Sequence, residues 1–133
     1  MDERVASLAE LTDEIEDRSR SLVETTRRYS TGQWRRSTGV ASVAESVQAL
    51  VTRLAELEHA VEVAAGERPA AWRSPSPAPY PGALPDRLAV VSNDLVAVLR
   101  AAPGDLQVWY ADELVAVVEI AKVAAAAVRR IPV

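Results

Sequence analysis

The sequence predicts an all-α fold: an antiparallel four-helix bundle with one long Pro-rich connection between helices 2 and 3. Three observations point there. Val40, Val43, Val47, Leu50, Leu54, Leu57, Val61 and Ala64 follow one another at alternating steps of three and four residues, the seam of a helix that buries one narrow face. Residues 84–102 and 105–131 carry the same type of spacing. Between the second and third helices, residues 67–85 hold six of the eight prolines.

The first helix is expected over residues 2–34. Met1, Leu8, Ile15, Leu22 and Tyr29 recur every seven residues, while Val5, Leu11, Thr12, Ser19 and Thr26 fill the neighbouring seam less well. Residues 2–17 carry seven acids and only Arg4, and residues 18–36 carry six arginines and only Glu24. Both ends therefore oppose the helix dipole. Ser30-Thr31-Gly32 and Ser37-Thr38-Gly39 signal turns on either side of Trp34.

The second helix is expected over 39–65, capped by Ser37 or Thr38, stopped by Gly66 and followed by Pro69. In the linker 67–85 the central prolines alternate at spacing two, so they do not line one face of a polyproline helix. The linker reads either as a crossover running the length of the bundle, with Trp72 and Tyr80 anchored on it, or as an arm that binds a partner.

Pro85 suits the first turn of a third helix over 84–102, with Leu84, Leu88, Val91, Leu95, Val98 and Ala102 as its seam. Pro103-Gly104 breaks it, and Asp105 is placed to cap a fourth helix over 105–131. That helix would be apolar on two faces, which suits a central helix or an oligomer interface. No strand and no internal repeat is expected.

A chain of 133 residues reads as one domain, 1–133, with enough length for its own core. The lack of Cys excludes disulfides, thiolate metal sites and Cys nucleophiles. No basic n-region opens the chain, and the most apolar stretch, Leu114 to Val128, contains Glu119 and Lys122. A soluble cytoplasmic protein without a membrane partner is expected. The net charge of −4 gives no global attraction for nucleic acid.

Candidate chemistry is sparse. His59 is the only histidine, and Glu56 precedes it at the Glu-x-x-His spacing used in carboxylate-bridged di-iron bundles. Such a centre needs two of these motifs, which a symmetric dimer alone would supply. At about 100° per residue, both side chains point away from the Val40–Ala64 seam, as a surface pair would. No cofactor or metal is therefore expected.

Arg53 and His59 form Arg-x5-His, which resembles the Arg-x4–6-His signature of HEPN-family ribonucleases, themselves compact α-helical domains. The resemblance implies Arg53 as phosphate binder and His59 as acid or base at a dimer cleft. Leu54 stands where that family usually carries a polar residue. Six helical residues also set Arg53 and His59 on different faces.

Arg27, Arg28, Tyr29, Trp34, Arg35 and Arg36 combine cations with stackable rings, as a nucleic-acid track does. The same residues also read as a basic helix terminus with aromatic rings covering the end of the bundle. Trp109-Tyr110-Ala111-Asp112-Glu113 reads as dipole partners and core rings at the start of the last helix.

The expectation for function is a non-catalytic interaction or assembly protein, homodimeric through its first or fourth helix. Arg27, Arg28, Trp34, Arg35, Arg36, Trp72 and Tyr80 are its candidate interaction residues. The alternatives are a nucleic-acid-directed protein and a bundle holding a small molecule near Trp109, Tyr110 and Trp72.

Overall fold

The computed structural model describes residues 6–67, 71–72 and 74–131. It is mostly helical, with helices α1 (Leu8–Thr26), α2 (Thr31–Arg35), α3 (Val43–Ala64), α4 (Leu84–Ala101) and α5 (Val117–Arg129). A two-stranded sheet of β1 (Gln107–Tyr110) and β2 (Glu113–Ala116) precedes α5.

Helix α1 starts where Ser7 Oγ accepts a hydrogen bond from the Glu10 backbone N–H at 3.1 Å. It ends at Thr26, well short of residue 34. Its seam is polar there: Thr12, Ser19 and Thr26 are buried, and the hydroxyls of Thr12 and Thr26 each donate to the carbonyl four residues back at 2.7 Å. Such back-bonding weakens a helix. Ser30 then starts α2 with a full capping box to Gln33. Trp34 sits in the core at 3% exposure, edge-on to Tyr29 with ring centroids 5.2 Å apart.

The cap of α3 is Ser42, in a capping box with Glu45, and not Ser37 or Thr38. Residues 37–42 instead form a small loop, in which the Thr38 N–H donates to the Ala41 carbonyl at 2.7 Å and Gly39 takes φ +109°. Val40 lies in that loop and is fully exposed, so the buried stripe begins at Val43. From Val43 to Val61 it is buried as the spacing predicts. Gly66 ends the helix at φ +78°: its N–H donates to the Val63 carbonyl, and that of Glu67 to the Glu62 carbonyl at 2.9 Å, a Schellman closure.

The chain then returns along α3. Trp72 lies beside His59 with ring centroids 6.4 Å apart, and farther along the Ala78 N–H donates to Gln48 Oε1 at 2.9 Å. Arg87 of α4 donates to the Ser76 carbonyl. The described part of this segment thus lies along α3, while residues 68–70, with Pro69, and residue 73 lie outside the described residues. Tyr80 is exposed, and its ring is close enough to Gly82 that an added Cβ would stand 3.3 Å from it.

A connection that runs back along one helix delivers the next in the same direction. One surface groove joins Val51 to Asp86 and Val90, near the starts of α3 and α4; another joins Val61 and Ala65 to Ala97 and Ala101, near their ends. These two helices therefore run parallel, which corrects the expectation of an antiparallel arrangement throughout. Helix α1 does run against α4: Arg100 pairs with Asp13 at 3.0 Å and Glu16 at 3.2 Å, while Arg27 pairs with Asp86 at 3.1 Å. Helix α4 packs between α1 and α3, and α5 packs against both α1 and α3.

The expected fourth helix over 105–131 is the main correction. Its first part is a β-hairpin with the register Gln107↔Ala116, Val108↔Val115, Trp109↔Leu114 and Tyr110↔Glu113. Ala111 (φ +51°) and Asp112 (φ +65°) make the two-residue turn, the geometry of a type I′ hairpin. Val108 is fully buried between exposed Gln107 and Trp109, an alternation of period two rather than a helical stripe. The Val117 N–H closes the base of the hairpin on the Leu106 carbonyl at 3.0 Å. Asp105 lies in the preceding turn and caps no helix. Among the described residues, no helix is long and apolar enough to cross a membrane.

Candidate functional site

The hairpin helps to form a groove of about 600 Å³ between itself, α3 and the crossover. Helix α3 supplies one wall with Arg53, Glu56, His59, Ala60, Val63 and Ala64. Arg53, Glu56, Ala60 and Val63 are spaced 3, 4, 3, so they form a second stripe beside the buried seam. Trp72 supplies a second wall. The opposite wall is Trp109, Leu114 and Tyr110, with Ala111 and Asp112 at the turn. The volume falls within the usual range for small-ligand sites.

Trp109 and Leu114 face each other across the strands, and each is 62% exposed. Trp72 is 39% exposed. Three large apolar groups therefore stand partly in water around one concavity, a costly arrangement for side chains of this size unless something covers them.

Arg53 Nη1 donates to Tyr110 Oη at 2.7 Å and lies 3.7 Å from Glu56 Oε1. The hydrogen bond to Tyr110 ties α3 to the hairpin. Arg53 and His59 line the same groove, although helical spacing alone sets them on different faces. The hairpin explains this: it lies across α3, so residues well apart around the helix share one opening. Glu56 and His59 share it too. Among the described residues, no three His, Asp or Glu side chains converge to hold a metal ion.

The basic–aromatic cluster is arranged differently. Arg27 pairs with Asp86, and Trp34 is buried, so its ring serves the core. Arg28, Arg35 and Arg36 are exposed around the end of α1 and α2. Tyr80 is exposed on the crossover, away from the groove lining.

Elsewhere the strongest charge contacts are structural. Glu14 of α1 bonds Arg129 of α5 through both carboxylate oxygens and Arg18 at 2.9 Å. The hydrogen bond from Arg129 is the main cause holding the Glu14 carboxyl below its ordinary range.

Sequence reasoning placed Trp109, Tyr110 and Trp72 near one ligand and missed the wall from α3. The signal that would have found it is the apolar set Ala60, Val63 and Ala64 lying beside the main seam. Comparisons with protein-family models, curated proteins and solved structures find no match to this chain.

Proposed function

We propose that this chain is a non-catalytic binding protein whose groove takes a small organic molecule. This reading treats α1, α3, α4 and α5 as one helical bundle and the hairpin as a flap laid across it. The observation that carries it is convergence: three separate segments bring Trp72, Trp109 and the α3 stripe to one concavity of ligand size. A binding role suits the polar groups present, because Arg53 donates to Tyr110 and stands within ion-pair range of Glu56.

Tryptophan emission tests the proposal. Trp34 is buried, whereas Trp72 and Trp109 line the groove. Titration with a panel of soluble small molecules should give a saturable emission change that disappears in the Trp72→Leu, Trp109→Leu double variant. A panel with no saturable response, or a response that persists in the double variant, contradicts it.

A second reading, self-association, is favoured by the paired exposure of Trp109 and Leu114 on one face of the hairpin. It supports the expected homodimer, here through the hairpin rather than through a helix. Light scattering tests it: a mass that stays monomeric across concentration, and is unchanged by Leu114→Ser, contradicts this reading.

A further inference from the structure

We infer that the ligand of this groove is an organic monocation, a quaternary or protonated amine on a small apolar body. The inference rests on the binding reading above and adds its charge. The walls include the indoles of Trp72 and Trp109, and the π-face of an indole carries a negative quadrupole that attracts a cation. The charged and titratable side chains among the described lining residues include Arg53, Glu56, Asp112 and His59. Arg53 lies 3.7 Å from Glu56 and donates to Tyr110, both through Nη1, so a carboxylate already stands beside its charge. Asp112 stands at the hairpin turn with no ion-pair partner among the described residues. Among the described lining residues, Asp112 therefore offers a carboxylate without an ion-pair partner, in the same groove as two exposed indoles.

An anion is disfavoured by the same groups. It would meet the Glu56 carboxylate beside Arg53 and the Asp112 carboxylate at the turn. A neutral body would bury apolar surface but leave Asp112 uncompensated. A cation uses the indole faces and the carboxylate together.

Three probes of one shape isolate the charge: choline, the neutral 3,3-dimethylbutan-1-ol and the anionic 3,3-dimethylbutanoate. Each is titrated into the full chain with Trp emission and calorimetry as readouts. Choline should bind about tenfold more tightly than the alcohol, and the anion weakest of all. Asp112→Asn keeps a residue that tolerates the left-handed turn, so the hairpin is retained while the charge is lost. It should cut choline affinity severalfold and leave the alcohol unchanged. Equal or tighter binding of the alcohol or the anion overturns the cation inference while leaving the groove as a binding site. Failure of choline to bind at all overturns it as well, and the wider panel described above then decides whether the groove binds anything.

Discussion

Arg53 of α3 reaches Tyr110 of β1, its Nη1 donating to the phenolic oxygen at 2.7 Å. This contact joins the outer face of a core helix to the tip of the hairpin and fixes one end of the groove. Both partners are partly exposed, so the bond adds little to global stability. Tyr110→Phe should lower unfolding free energy by less than about 1 kcal/mol. Hydrogen exchange should nevertheless quicken in residues 107–116 more than in α3 or α4. Uniform acceleration across the chain would mean that the hairpin is not a separately opening unit.

The buried stripe begins at Val43, which separates it from Val40. Leu54 and Leu57 are fully buried, and Leu57→Ala should cost about 2–5 kcal/mol. Leu54→Asp should prevent folding, because it places an unpaired charge in the core. Val40→Asp should leave the melting temperature within about a degree, since Val40 is fully exposed. Thermal melts of the three variants distinguish this stripe from one that starts at Val40.

The hairpin turn holds Ala111 at φ +51°, a conformation that an L residue with a Cβ adopts at a cost. Ala111→Gly should relieve that cost and stabilise the protein by about 0.5–1 kcal/mol net of backbone entropy. A drop in stability would contradict the type I′ assignment. Were residues 105–116 helical, the same substitution would destabilise instead.

Glu14 links α1 to Arg129 of α5, and its carboxyl is held below the ordinary range. A carboxyl depressed in the folded state stabilises above its unfolded pKa, and that stability is lost as pH falls through the folded value. Stability should therefore decline on acidification below about pH 4.5, and Glu14→Gln should flatten that part of the curve. The effect is small, because Arg129 is close to half exposed. Chemical denaturation at several pH values measures it; an unchanged acid limb in the variant would contradict the assigned role of the pair.

Residues whose local preference agrees with their burial were legible from sequence. The α3 seam, its Gly66 stop and the start of α4 at Pro85 all combine period, cap and breaker in one direction. The hairpin was not legible. Leu106, Tyr110, Leu114 and Val117 keep helical spacing, and Ala111-Asp112 lacks the Asn-Gly or Asp-Gly signature of a type I′ turn. The long seam of α1 was overextended because Tyr29 continues the seven-residue repeat, although it packs against Trp34 after the helix has ended. The candidate site suffered most from the missed hairpin. Its members lie on the outward side of α3, on a crossover and on two strands, and no single periodic pattern joins them.

The three tryptophans provide the most direct test of the central claim. The indole N–H resonances of Trp34, Trp72 and Trp109 are assigned by substitution and followed by NMR as choline is added. The resonances of Trp72 and Trp109 should shift together along one saturable curve while Trp34 stays in place. A titration in which neither moves, or in which all three move alike, would contradict a ligand site in this groove.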